Sequence, residues 1–390
     1  MKYKTLNNCT ICNEKILKKN KLILNDLPIT EIFCIKPNSK KNINFKQKIK
    51  FCNKCNHLSL AYQYNTSNFY NDAYLNYSHS FSNQYSNNIF LQFVKKHLHK
   101  KKYKIIEIGA NDLFLLEKFK NNSSKIVAID PCIKINKKFK NIKFLKKFAE
   151  DVKYNEIKFI PDLVLCSQTL EHIENPIKFL SHIFKFGDNN TKYFFQFPSC
   201  ESLLDRNAFD QIHHQHFNIF SLDSISKILN KMGFPIIDFD YNEHHYGSLM
   251  IYFKKGRNIK KRKIVKKQID LNKKYEKYKK YIENIIDILK NYKRRNYKIY
   301  AIGASLMTPI LNYHLKGLIG LADNILDDDT IKINKYFPNI NSKIKSLKKT
   351  DLTNAVVIIA STASSITIRK LTSIVDNKKA KIIIIPSLSF

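Results

Sequence analysis

Between Tyr103 and Ser199 the chain alternates short, nearly all-apolar runs with stretches of helical spacing. No other feature narrows the possible folds as much. "YKIIEIGA", "KIVAID", "DLVLCSQT" and "KYFFQFPS" have strand length and read as buried strands. "DLFLLEKFK" and "NPIKFLSHIFKF", which separate them, read as helices. Alternation of this kind implies a doubly wound parallel sheet. A helix from about Asn87 to His99, with Phe90, Phe93 and His97 on one face, is expected before it. "SLDSISKILNKMGF" follows with a Ser or Asp cap and a terminal glycine, the marks of another helix.

At 390 residues the chain exceeds one ordinary core, so two or three domains are expected. "YKIYAIGAS", "LADNILDDD", "AVVIIAST" and "AKIIIIPS" supply four further strands, hence a second, smaller α/β domain. The stretch from Lys254 to Arg295 is the most basic. In it Tyr275, Tyr278, Ile282, Ile285 and Leu289 recur at helical spacing, predicting an amphipathic connecting helix with a solvated lysine face. The expected segmentation is 1–70, 71–255, 256–297 and 298–390. Tyr62 to Tyr85, polar and rich in tyrosine, carries no assignable pattern.

Four of the eight cysteines are organised: Cys9 and Cys12 in "CTIC", Cys52 and Cys55 in "CNKC". Two such knuckles supply four thiolates, which suits a closed, tetrahedral, structural Zn2+ site. The long gap between them calls for a small strand-rich module. Cys34, Cys132, Cys166 and Cys200 are isolated and expected to be buried.

The formal charge of +36 raises a nucleic-acid partner. Lysine, however, is spread through nearly every segment beside abundant Asn and Ile, which is a compositional bias rather than a binding stripe. The same field suits an anionic small molecule such as a nucleotide diphosphate. The longest apolar runs are far too short for a membrane span. "MKYKTLNNCTICNE" lacks the apolar core of a secretory signal, so a cytoplasmic location, with no membrane and no nucleic acid bound, is the expectation.

The first strand ends in Glu107-Ile108-Gly109-Ala110-Asn111, and the second at Asp130, 21 residues after Gly109. A glycine turn preceded by an acid, with a carboxylate at the next strand end, suits a nucleotide-like cofactor whose ribose the carboxylate holds. One glycine does not make the G-x-G-x-x-G of a dinucleotide site. The loop fits S-adenosylmethionine better.

At "LCSQTLEHIENPIKFL" a resemblance becomes explicit. That run is similar to the post-strand motif of class I S-adenosylmethionine methyltransferases. The chain as a whole resembles the three-domain sugar C-methyltransferases, including those acting at C-3 of nucleotide-linked deoxysugars. "CTIC…FCNKC", "IIEIGAND", "LEHIENP", "FDQIHHQHFNIFSL", "HYGSL" and "ILDDDTIKINKYFP" carry the likeness in that order. It implies a class I, Rossmann-like methyltransferase domain between an N-terminal zinc module and a smaller C-terminal Rossmann-like α/β domain. It also implies a nucleotide-sugar substrate, a role in surface polysaccharide synthesis, and a monomer or weak dimer. For the cofactor it points to Glu107, Gly109, Asn111, Asp130 and Ser167.

By that resemblance His216 is the general base that removes a proton from the carbon beside a sugar ketone, and His172 orients substrate or assists the enolate. The chemistry is coherent by itself: carbon becomes nucleophilic once a neighbouring carbonyl spreads its charge, and imidazole is a suitable proton acceptor near neutrality. His213 stands where the family has tyrosine, and Gln215, which cannot receive a proton, where it has glutamate. His214 reads as core packing. A metal held by the three histidines is a further possibility, though no carboxylate stands at helical spacing from them. Leu113 occupies a family glycine position, where it either crowds the cofactor or adjusts the helix start. Leu306 and Met307 replace a region that normally includes lysine, which leaves phosphate recognition to the amides of Gly303 and Ala304 or to Lys332 and Lys335. His245 and Gly247 match a substrate-side loop in which Tyr246 replaces glycine. The alternatives are an oxygen or nitrogen methyltransferase on a related sugar, a zinc-containing nucleic-acid binder, and a non-catalytic family member.

Overall fold

A computed structural model describes residues 3–30, 32–37, 44–65, 81–133, 142–243, 247–256, 269–360 and 365–384. The chain packs as two units that interleave along the sequence. The first comprises Met1–Lys18, Ile49–Glu201 and Gln215–Ile269, the second Lys19–Lys48, Ser202–His214 and Asp270–Phe390. This differs from four segments in series. The stretch between the cysteine knuckles holds two strands, Lys21–Pro28 and Asn44–Cys52, which belong to a four-stranded sheet, in keeping with a strand-rich insertion. Lys19–Lys48 groups with the second unit, and the basic helix does so too.

In the first unit, seven strands among the described residues form one sheet. In spatial order they are Ile236–Asn242, Ser248–Phe253, Lys192–Phe197, Leu163–Ser167, Tyr103–Ile108, Ser123–Ile129 and Ile142–Leu145. The last five run parallel, as the βα alternation requires. Ser248–Phe253 runs antiparallel to both its neighbours, so the expected all-parallel sheet is corrected to a mixed one. Consecutive strands joined by a short connection must reverse direction, and only five residues separate Asn242 from Ser248.

Side chains alternate faces along each strand, so the sheet builds two cores. Ile106, Ile108, Val164 and Cys166 pack on one side with Phe179, Leu180, Ile225 and Leu229 of helices Pro176–Ile183 and Leu222–Lys231. Ile105, Leu163 and Leu165 pack on the other with Phe90, Phe93 and Val94 of helix Phe81–Lys95. That last helix starts earlier and ends sooner than the apolar spacing suggested. His97 lies past its end, 2.9 Å from the Asp238 carboxylate. Capping is as read: Asn175 accepts the Lys178 amide before Pro176, Ser221 accepts the Ser224 amide, and Gly233 follows the helix end at φ 78°.

In the second unit, five strands among the described residues form a wholly parallel sheet in the order Ile344–Ser346, Asn324–Asp327, Ile299–Ile302, Val356–Ile359 and Ile382–Ile384. Four of these were legible as strands; "IKS" at the edge was too short and polar to be. The helix Leu271–Arg294 is capped by Asp270, which accepts from the amides of Asn272 and Lys273. It buries Tyr278, Ile282, Ile285 and Leu289, as the spacing predicted, while Tyr275 is only partly buried. No helix of the described residues is long and apolar enough to cross a membrane.

Candidate functional site

At the end of the strand Tyr103–Ile108 the chain turns at Gly109, whose φ is 74°. A Cβ there would stand 1.9 Å from the Thr169 hydroxyl oxygen, so the position admits glycine alone. The Gly109 and Ala110 amides donate to the Ile129 carbonyl. One step on, the Asn111 amide donates to Asp130 Oδ2 at 3.1 Å, while the Cys132 amide donates to Oδ1 at 2.7 Å. Asp130 is therefore fixed at the tip of its strand. Burial raises its pKa, and the two amide donors oppose the rise.

Glu107 lies beneath this turn, 3% exposed, with Oε2 lacking a hydrogen-bond partner among the described residues. Burial lifts its pKa well above the ordinary glutamate value, and like charge on Asp112 and Asp130 adds to the lift. A buried carboxyl with an open oxygen fits a cationic group placed over the turn. Ser167 ends the neighbouring strand and accepts from Gln196 at 3.2 Å. Leu113 does not fill the turn. At φ 68° it begins the helix Phe114–Lys118 and is buried among Phe90, Leu116 and Phe119, so the backbone strain of a missing glycine is offset by apolar packing.

The next strand, Leu163–Ser167, leads into a helical turn over Leu170–His172. There the His172 ring lies 4.8 Å from that of His216, centroid to centroid, at an interplanar angle of 80°. Burial lowers the His172 pKa to about 4, opposed by its hydrogen bond to the Gln215 carbonyl. His172 is therefore neutral at pH 7, with its N–H committed to that carbonyl. It presents a lone pair rather than a donor.

The other histidines of the run are placed differently. The boundary between units falls between His214 and Gln215. His214 is held by the Leu27 carbonyl at 2.9 Å and the Gln47 amide group at 3.0 Å, and packs against Phe45. That is the core role expected of it. His213 also falls in the second unit and is buried. Gln215 is fully buried next to His216.

The four cysteines converge. Cys9 Sγ is 3.5 Å from Cys55 Sγ, Cys12 Sγ is 3.5 Å from Cys52 Sγ, and all four sulfurs lie within 4.8 Å of one another. A tetrahedron with zinc–sulfur bonds of about 2.3 Å has edges of about 3.8 Å, so the donor set fits that ion. Asn13 and Asn56, the residues after each second cysteine, both take positive φ, at 59° and 54°. "C-x-x-C-N" was thus a repeated turn signal that sequence reading passed over.

One residue that links these segments escaped the sequence altogether. Asn218, fully buried, accepts from Thr10 of the first knuckle at 2.9 Å and lies 3.1 Å from His57 Nε2, while its amide donates to the Ile173 carbonyl at 2.7 Å. It thereby ties the cysteine cluster to the residue after His172 and to its own loop, two positions past His216. Polar pairs like these become visible only once the segments meet.

The remaining expected substrate residues divide. Gly247 has φ 67°, and His245 lies outside the described residues. In the second unit Gly303 turns at φ 99°, but its amide donates to the Leu326 carbonyl and that of Ala304 to Asp327 at 2.9 Å. Both donors are occupied within the fold. Lys332 is paired with Asp327 at 3.3 Å and Asp329 at 3.6 Å, and Lys335 is half-buried.

Residues 79–238 match the family model described as "Methyltransferase domain". The central segment is a methyltransferase domain. Its sheet, five parallel strands extended by an antiparallel pair, is the class I, Rossmann-like arrangement. Over 155 residues the chain is 24% identical to the C-methyltransferase NovU of Streptomyces niveus, an overlap covering 38% of this chain and 36% of that protein. The chain thus spans about a third of the length of that curated relative. Among solved structures, the methyltransferase domain is similar to the N-methyltransferase NodS of Bradyrhizobium japonicum (10% identity, 46% of this chain and 100% of that one, TM-score 0.37). It is similar also to the magnesium protoporphyrin IX methyltransferase of Synechocystis (13%, 47% and 91%, TM-score 0.36).

Proposed function

We propose that this protein is an S-adenosylmethionine-dependent methyltransferase that forms a carbon–carbon bond on a nucleotide-activated keto-deoxysugar. The observation that carries the reading is the His172–His216 pair, set directly after the strand that neighbours the glycine turn. When bound, S-adenosylmethionine supplies an electrophilic methyl group on a cationic sulfur. The backbone at Gly109 and Asn111 gives its methionine end close approach, and Glu107 offers a buried carboxyl for positive charge. Asp130, already fixed by two amides, accepts from the ribose. His216 takes the proton from the carbon beside the ketone, His172 holds its lone pair toward that imidazole, and Asn218 keeps both segments in register. Zinc at Cys9, Cys12, Cys52 and Cys55 closes the knuckles and anchors the end of the Asn218 network. The overall positive charge favours an acceptor bearing a diphosphate.

Proton exchange tests the base apart from methyl transfer. In heavy water, with S-adenosylhomocysteine in place of the methyl donor, the wild-type protein should exchange the hydrogen next to the ketone. His216→Asn should lose that exchange by about 100-fold or more while binding both ligands, the usual weight of a positioned base. An oxygen or nitrogen methyltransferase exchanges nothing, and full exchange by the variant removes His216 from the mechanism.

A further inference from the structure

Glu171, His172 and His216 each offer one possible ligand atom, and the three atoms lie within 4.8 Å of one another. Glu171 and His172 are neighbours in the Leu170–His172 turn, while His216 comes from the loop before Asn218. Glu171 is 1% exposed, and apart from its own backbone amide neither carboxylate oxygen has a hydrogen-bond partner among the described residues. Buried carboxyls are costly unless a donor or a positive charge meets them. The knuckle sulfurs form a separate, closed cluster, and the reading given above for the histidine pair leaves Glu171 without a task.

The donor chemistry says what would meet it. Two imidazoles and one carboxylate leave coordination positions open and suit divalent iron, cobalt or zinc rather than magnesium or calcium. The hydrogen bond from His172 to the Gln215 carbonyl is the kind that metal-ligating imidazoles make with their second nitrogen. Ligands about 2.0–2.2 Å from one ion stand about 3 Å or slightly more apart, so small side-chain rotations close the set. The carboxylate missing at helical spacing from the histidine run is thus supplied by another segment, and His214, bonded to Leu27 and Gln47, takes no part.

We propose that Glu171, His172 and His216 bind one divalent transition-metal cation, and that its occupancy stops His216 from accepting a proton. One lone pair cannot serve both ends. The binding stands on the three ligands; the blockade rests on His216 being the base.

The test uses the full chain with its cysteines first filled by one equivalent of Zn2+, then titrated with Co2+ by calorimetry and visible absorption. One further equivalent should bind, with weak visible bands and no thiolate-to-cobalt charge transfer. Glu171→Gln and His172→Asn should each weaken it by at least about 10-fold, as loss of even an outer partner of a metal site does. Retention of the cysteine-bound Zn2+ shows that both variants fold. Co2+ should also halt deuterium exchange into the keto sugar, and a chelator mild enough to spare the thiolate site should restore it. Absence of a second equivalent, or its survival unchanged in both variants, overturns the site. A bound equivalent with undiminished exchange overturns the blockade. If the metal-free protein exchanges no keto sugar at all, the functional reading fails while the calorimetry still decides the binding.

Discussion

The two units each contain a strand, a glycine turn and an aspartate from the next strand, joined by the same kinds of hydrogen bond, with the turn amide that meets the aspartate one residue further along in the first. In the first, Gly109 donates to the Ile129 carbonyl, and Asp130 accepts from the Asn111 and Cys132 amides. In the second, Gly303 donates to the Leu326 carbonyl, and Asp327 accepts from the Ala304 and Asp329 amides. They differ in charge. The first turn lies over Glu107, a buried carboxyl with an open oxygen, and the second has Lys332 neutralising its aspartate. The shared hydrogen bonds are what any doubly wound turn requires of its backbone. The unshared charges are where ligand preference enters, and they leave the first turn suited to a cationic ligand.

The largest expected contrast comes from the glycines. Gly109→Ala should abolish binding of S-adenosylhomocysteine by calorimetry, since the new methyl collides with Thr169 at a left-handed residue. Gly303→Ala should leave that affinity unchanged and lower stability by about 1–3 kcal/mol in denaturant melts. Equal effects of the two on the ligand would erase the distinction. The aspartates come next. Asp130→Asn should weaken S-adenosylhomocysteine about 10- to 100-fold, the weight of a hydrogen bond to a charged group. Asp327→Asn should leave it alone.

The smallest effect concerns Glu107 and pH. Its folded pKa is raised above the ordinary 4.5, so as pH climbs past that value the unfolded chain releases a proton that the folded chain keeps. Stability from this group is present below that value and is lost progressively above it, up to the folded pKa. Glu107→Gln should therefore flatten the fall of melting temperature with pH above about 4.5 and leave the second unit's turn unaffected. A slope unchanged by the substitution would mean that Glu107 ionises in the fold as it does in water.

Local signals in the sequence located local structure. Buried parallel strands, the caps at Asn175 and Ser221, and the cysteine knuckles each depend on neighbours a few residues away, so their spacing was legible. The hairpin of Ile236–Asn242 and Ser248–Phe253 was missed because "HYGSL" reads as loop and the first strand alternates polar with apolar residues. The interleaving of the units was hidden because Lys19–Lys48 folds with residues hundreds of positions away, as the Cys34–Tyr336 backbone pairing shows. At the site, His172 and His216 were legible only through resemblance. Asn218 and Glu171 carried no signal, because a buried asparagine or glutamate acquires meaning only from partners brought by the fold.

The most direct measurement supplies S-adenosylmethionine carrying a 13C-labelled methyl group, with a nucleotide-linked 4-keto-deoxysugar as acceptor, and examines the product by NMR. A labelled methyl bonded to the ring carbon beside the ketone is the result predicted here. A label found on oxygen or nitrogen, or a sugar returned unlabelled by protein that binds both ligands, would contradict it.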